Sequence, residues 1–215
     1  MLKHKVTYVT SSDFKKEETK ILYQEAVLPD GVKVSDIFEF EIRPVPIKEI
    51  LEVDLALMVM AEVTSAYSQI RVPCIVEHAG LIFEDYEKYS YPGGLTKPMW
   101  NALGDRFIDE TKSANRRAIA RAVIAYCDGK SVLTFTGETS GMLSSVPRGN
   151  RKFYWDVIFL PDDASGKTLG LTYAEIAEEP SLGLEYKVIH LSQSSRAMLL
   201  FLEYLLKIGT PELWK

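Results

Sequence analysis

The sequence predicts an α/β fold holding both a parallel and an antiparallel strand pair, and three observations carry that expectation. Lys5–Thr10 reads as a strand, a helix pattern follows to about Ala26, and Val34–Ile42 alternates as a second strand, giving a β-α-β opening with a parallel pair. Arg117–Cys127 and Ser131–Glu138 alternate on either side of Asp128-Gly129, a dipeptide that favours a tight hairpin turn, and so predict an antiparallel pair. The chain closes in helix patterns.

Taken in order, Ser11-Ser12-Asp13 supplies N-cap chemistry for the first helix, because short oxygen-bearing side chains accept from first-turn amides. Leu28-Pro29-Asp30-Gly31 is a turn. After Pro44 and Pro46 the stretch from Ile47 to about Tyr67 reads as a long helix, apolar on almost every side and therefore largely buried. Val72–Val76 is a short apolar strand that delivers Glu77 and His78 to a turn ending at Gly80. Tyr91-Pro92-Gly93-Gly94 precedes a helix containing Met99, Trp100, Leu103, Phe107 and Ile108. Tyr154–Leu160 is predicted as a strand, Tyr173–Ala177 as a short helix, and Ser192 as the N-cap of a last helix. That helix carries Ala197, Leu200, Phe201, Tyr204 and Leu205 on one face and stops at Gly209.

Composition narrows the function classes. The 215 residues show neither repeat nor linker and are read as a single domain over 1–215, with 47% hydrophobic content to build a core. A net charge of −5 argues against a nucleic-acid binder, which needs clustered Lys and Arg. Two cysteines, Cys74 and Cys127, sit apart in apolar runs, so neither a disulfide framework nor metal-type spacing is present. The longest apolar stretch, Leu55–Ala61, is too short to cross a bilayer, and the charged start Met1–Lys5 runs straight into a strand pattern without an apolar leader. A cytoplasmic protein with small-molecule or protein partners is expected, with neither nucleic acid nor membrane among them.

Two segments carry chemistry. Thr10, Ser11 and Ser12, followed by Lys15 and Lys16, place hydroxyls, helix N-terminal amides and ammonium groups at the carboxyl end of the first strand, an arrangement that suits a polyphosphate. The plain alternative is an ordinary capped helix with solvated lysines. Pro147–Asp156 runs from a basic, glycine-containing loop into Phe153, Tyr154, Trp155 and Asp156, a composition suited to a flat, polar, anionic molecule such as a nucleotide. Aromatic rings there would stack on a base while Asp156 accepts from a ring N–H, although strand alternation sends Tyr154 and Asp156 one way and Phe153 and Trp155 the other. At least one of these rings is then core. Glu49, Glu52, Asp54 and Glu62 fall on the predicted long helix, with Glu49 and Glu52 one turn apart. Together with Glu77 they are candidates for holding Mg²⁺, which takes one or two carboxylates plus phosphate oxygens; the alternative is a solvated acidic edge.

In their collinear order these segments resemble the inosine triphosphate pyrophosphatase family, enzymes that hydrolyse non-standard purine nucleoside triphosphates to monophosphate and pyrophosphate. The match runs through Thr10-Ser11-Ser12, Lys15 and Glu18; Val76-Glu77 with Gly80-Leu81; Pro92-Gly93; Gly137 and Gly141; Pro147-Arg148-Gly149; Phe153 with Trp155-Asp156; Pro161; Thr172–Glu175; and Ser192 with Arg196-Ala197. The resemblance implies an elongated mixed sheet flanked by helices, two lobes with a central nucleotide cleft, Mg²⁺ dependence and a homodimer. It places the phosphates on Ser12 and Lys15, metal or water activation at Glu77, and the base near Phe153, Trp155 and Asp156, with Lys187 near the family's base-contacting lysine.

Departures from that pattern bear on mechanism. The family's acidic pair becomes Glu77-His78, so an imidazole, either a general base or a structural substitute, stands where a carboxylate is expected. Its Ser-His-Arg becomes Ser192-Gln193-Ser194, which removes the groups that read a 6-oxo purine and points to altered base selectivity through Gln193 and Ser194. Lys152 and Tyr154 replace glycines that flank the family's aromatic turn, and a lysine expected after Pro46 gives way to Met58 or Met60. The expected function is a nucleoside triphosphate pyrophosphatase with altered base selectivity; the alternative is a nucleotide-binding protein of the same fold that has lost turnover.

Overall fold

The computed structural model describes residues 3–112, 114 and 116–209; residues 1 and 2 of the charged start lie outside them. Its centre is one six-stranded mixed sheet in the order β2-β1-β3-β4-β5-β6. The strands are β1 (His4–Val9), β2 (Phe38–Arg43), β3 (Cys74–Phe83), β4 (Arg117–Cys127), β5 (Val132–Leu143) and β6 (Phe159–Pro161). The helices are α1 (Asp13–Glu25), α2 (Val34–Ile37), α3 (Leu55–Ile70), α4 (Thr96–Leu103), α5 (Tyr173–Glu178), α6 (Gly183–Tyr186) and α7 (Gln193–Ile208). β1 runs parallel to β2 and β3, whereas β3, β4, β5 and β6 pair antiparallel. The β-α-β opening and the hairpin across Asp128-Gly129 are both present, with Asp128 Oδ1 accepting from the amides of Lys130 and Ser131.

Three cores divide the molecule into two lobes. At the β1–β2 end, α1 and α7 cover one face over Tyr8, Phe38, Ile75 and Phe201, and α3 covers the other over Val59, Val63, Val76 and Val123. At the β5–β6 end, Phe83, Phe107, Trp155, Phe159 and Tyr173 form the third core. Ala79, in the middle of β3, packs against the first and third cores, so β3 is the spine between the lobes.

Several elements differ from the sequence reading. The helix expected to contain Phe107 and Ile108 ends at Leu103, where Gly104 takes a φ of 56°, and those two residues lie on a 3₁₀ segment over Gly104–Glu110. β5 runs past Glu138 to Leu143 and pairs there with β6. Val34–Ile37 forms a short helix, and the second strand starts only at Phe38. The long helix does not begin at Ile47: Asp54 caps it by accepting from the amides of Ala56 and Leu57, while the chain before it stays irregular and its Val53 carbonyl accepts from Gly94 N–H. β3 continues through Glu77, His78 and Gly80 to Phe83, because Gly80 pairs with Arg121 instead of turning. A Cβ at Gly80 would run into the Gly93 carbonyl and the Thr96 hydroxyl, so glycine serves close packing there. Finally, Tyr154–Val157 is a 3₁₀ turn, closed by Ile158 N–H donating to the Trp155 carbonyl, and only Phe159–Pro161 pairs with β5. The turn drives the indole of Trp155 between Phe159 and Tyr173, and strand alternation therefore does not govern the aromatic run.

Helix α7 lies against β5 at Gly137, where a side chain would collide with the backbone of Gln193 and Ala197. Gly137→Ala is expected to lower stability by about 1–3 kcal/mol through overpacking, read as a lower denaturation midpoint in urea; an unchanged midpoint would show that the helix can back away freely.

Candidate active site

Ser12 caps α1 by accepting from the Lys15 amide, and Thr10 Oγ1 accepts from Ser12 N–H, so the Thr10–Ser12 loop is folded back over the helix start. First-turn amides and the partial positive charge of the helix end therefore face the cleft beside β1. Lys15 reaches across to β3 and donates to the backbone carbonyl of Glu77 at 2.5 Å. Glu77 is buried, and both its carboxylate oxygens accept hydroxyl protons, Oε2 from Tyr8 at 2.6 Å and Oε1 from Ser194 at 2.8 Å. The next residue, His78, has Nδ1 at 3.2 Å from Glu62 Oε2, and the second oxygen of buried Glu62 has no hydrogen-bond partner among the described residues.

One cleft, with about 990 Å³ of space open to solvent, is bordered by Thr10, Ser11, Ser12, Lys15, Glu49, Glu62, Glu77, His78, Lys97, Phe153 and Trp155. Lys15 and Phe153 thus share a single cavity. A smaller recess adjoins it, lined by Phe14, Lys15, Glu18, Glu77, Phe153, Asp156, Lys187, Gln193 and Ser194. Of the acids named from sequence, Glu49 stands at the cleft paired with Lys97 at 3.1 Å, and Glu52 instead accepts from the Asp54 amide. Glu49, Glu52 and Glu77 are not gathered at one point, and among the described residues no group of three or more His, Cys, Asp or Glu side chains could hold a metal ion.

The recess is a buried charge cluster. Lys187 is 3% exposed and donates to Asp156 at 2.5 Å and Glu18 at 3.1 Å. A wide π turn over Lys187–Leu191, just before α7, turns this side chain inward. Burial pushes Glu18 up to about 7 against the pull of Lys187, and it pushes Asp156 upward for the same reason. Burial acts to lower Lys187, but the two carboxylates outweigh it and leave the ammonium above its usual value. Gln193 is buried, with Oε1 3.1 Å from the Tyr173 hydroxyl, and Trp155 is 2% exposed and mostly core. Phe153 is half-buried and stacks on Phe14, with ring centroids 4.2 Å apart and planes 15° apart.

Sequence reasoning gave no site role to Tyr8, Phe14, Glu18 or Lys97. Glu18 and Phe14 lie within the first helix's opening turns beside the named Lys15, and Lys97 follows the Pro92-Gly93 turn by four residues. Tyr8 had no signal, since a tyrosine in an apolar strand reads as core.

Comparison with known proteins agrees with this architecture. Residues 6–182 match the model of the Ham1 family. An inosine triphosphate pyrophosphatase 2 of Trypanosoma cruzi is 30% identical over 179 residues, covering 82% of this chain and 83% of that protein. An inosine triphosphate pyrophosphatase of Kluyveromyces lactis is 28% identical over 216 residues, covering 97% and 100%. The solved structure of a HAM1 protein from Coxiella burnetii superposes with a TM-score of 0.64 at 17% identity, over 96% of this chain and 100% of that one. A cleft between two lobes of one mixed sheet, the sequence relatives and the shared fold lead to one conclusion: this chain belongs to the Ham1 family.

Proposed function

We propose that this protein is a nucleoside triphosphate pyrophosphatase, releasing pyrophosphate and a monophosphate, with base selectivity altered from that of its relatives. The observation that carries this is the shared cavity of Lys15 and Phe153, which joins a cationic helix start to an aromatic, acid-lined recess. The relatives' names, inosine triphosphate pyrophosphatase and dITP/XTP pyrophosphatase, support the reaction class.

In this reading the polyphosphate lies on the first-turn amides of α1, Ser12 and Lys15. Lys15 is held in place by the Glu77 carbonyl, while Tyr8 and Ser194 fix the Glu77 carboxylate. Such preorganised donors cost no rearrangement as charge builds on the phosphate oxygens. A divalent ion, assigned here to Mg²⁺, fits the donor set: Glu62 offers a buried carboxylate oxygen without a partner among the described residues, and Glu49 lines the same cleft. Two carboxylates plus phosphate oxygens and waters satisfy this ion. When bound, it supplies neutralisation of the polyphosphate charge. His78, oriented by Glu62, accepts a hydrogen bond from the attacking water. The heterocycle then enters the recess of Asp156, Lys187 and Gln193. Ser194 is engaged by Glu77 and Gln193 carries an amide, so neither supplies the charge that would select a 6-oxo group. This is the support for altered selectivity. Among the described residues no helix is long and apolar enough to cross a membrane; cytoplasmic location and a homodimer complete the proposal, the latter checked by light scattering.

The decisive assay is pyrophosphate release from a panel of triphosphates with Mg²⁺, beside calorimetric binding of the same compounds. Turnover is expected, with Lys15→Ala lowering kcat/KM by about 10²- to 10³-fold. Binding without turnover would instead support a nucleotide-binding protein, a reading favoured by the engagement of both Glu77 oxygens.

His78→Gln keeps a hydrogen-bonding side chain but removes the imidazole, and should lower kcat by about 10²-fold or more. Full pyrophosphate release by this variant would take His78 out of the reaction.

The charge cluster yields a pH prediction. Glu18 has a proton affinity raised from 4.5 to about 7 on folding, so its contribution to stability is fully present below pH 4.5 and is lost as pH rises through 7. The Tm of the wild type relative to Glu18→Gln should therefore fall as pH increases from 5 to 8. A difference that is flat or rises over that window would show that Glu18 is charged throughout.

A further inference from the structure

We propose that Phe14 sets base selectivity by occupying, with its own ring, the place where a heterocycle stacks on Phe153, so that only a base that stacks better than a phenyl ring gains entry. The inference rests on the nucleotide reading above and names how that site chooses its base.

Three observations carry it. At a centroid spacing of 4.2 Å the Phe14 and Phe153 rings are in contact, and a flat molecule between them would need two such contacts of about 3.5 Å each. The Phe14 ring also lies 4.6 Å from Lys187 Nζ, so it sits between the aromatic ring and the ammonium proposed to hold the base. Finally, Phe14 and Phe153 are the two residues that border both the inner recess and an outer one formed by Ser12, Trp100, Arg151, Lys152 and Tyr154. The stacked pair is the wall between these spaces.

Packing in a hydrophobic core does not account for Phe14. It belongs to none of the three hydrophobic cores, although Phe153 packs on the third. It stands in a first turn that is otherwise polar, Asp13, Lys15 and Lys16, on a backbone fixed by the Ser12 cap. With the backbone held, the ring can leave by side-chain rotation alone.

Competition for one aromatic face discriminates by ring area. A purine presents two fused rings and gains more contact on Phe153 than the displaced phenyl gives up; a pyrimidine presents one ring, and the exchange is nearly even. Stacking competition thereby provides purine preference in a recess whose Gln193 and Ser194 bring no charge to the base edge.

The test is calorimetric binding, without divalent metal, of inosine triphosphate and uridine triphosphate to the full chain, to Phe14→Ala and to Phe14→Leu. Phe14→Ala should bind the pyrimidine nucleotide about 2- to 10-fold more tightly and the purine nucleotide with a smaller gain, so the purine-to-pyrimidine ratio falls. Phe14→Leu, which fills space without a stacking ring, should lie between wild type and Phe14→Ala. Thermal melts should show both variants folded, with a lower midpoint from the lost contacts to Lys187 and Phe153. Unchanged or weakened binding of both nucleotides in the variants, with the wild type binding normally, would overturn the inference and leave the pyrophosphatase reading intact. Absence of nucleotide binding by all three proteins would overturn both.

Discussion

The buried ammonium of Lys187 is the constraint around which the rest of the site is arranged. A cation removed from water is strongly destabilising unless it is paired and hydrogen-bonded, and here its partners come from distant parts of the chain: Glu18 on α1 and Asp156 in the 3₁₀ turn, 169 and 31 residues away. The three side chains therefore fix the first helix, the aromatic turn and the segment before α7 relative to one another. Losing Lys187 would strand both carboxylates in the interior. Burial pushes both Glu18 and Asp156 upward against the pull of that one ammonium.

That cluster can form only because the sheet changes direction at β3. The parallel start brings the carboxyl end of β1, and with it the amino end of α1, alongside Glu77 in the middle of β3. The antiparallel continuation carries the chain away into the second lobe and returns it at Phe153–Phe159. Glycines permit the close approaches that this demands: Gly80 lets the Gly93 turn lie on β3, and Gly137 lets α7 lie on β5 so that Gln193 and Ser194 reach the recess. The cleft is the space left where the two lobes share one strand.

Much of this was legible in the sequence, because strand alternation, the Asp-Gly hairpin and helix caps at Ser12 and Ser192 act within a few residues. What escaped depends on contacts between remote segments. Periodicity extended α3 back to Ile47, since apolar spacing continues there, but the cap at Asp54 decides the start. The aromatic run resembles a strand until Trp155 finds room between Phe159 and Tyr173, which only the third core provides. Lys15, Glu77 and Lys187 were identifiable from the resemblance, whereas the hydroxyl of Tyr8 becomes a site contact only when β1 and β3 are paired.

The departures from the family pattern look like losses when read one position at a time, and the cleft shows where related groups stand in space. An imidazole at position 78 lacks the expected carboxylate, yet Glu62 brings one from α3 to 3.2 Å from that ring, with one oxygen to spare. The lysine expected on α3 is absent: Met58 there is core and Met60 is exposed, but Lys97 enters the same cleft from α4. The cavity of this chain thus holds a carboxylate and an ammonium that come from α3 and α4 rather than from the expected positions. A chemistry that depends on positioned charge rather than on one particular nucleophile tolerates such relocation, because phosphates are stabilised by the field at their oxygens and not by the chain that supplies it. Base reading is different, since a donor must meet a specific edge. The recess holds its cations on Lys15 and Lys187, whereas Gln193 and Ser194, which stand where the resemblance expects an imidazole and a guanidinium, bring no charge of their own to a ligand.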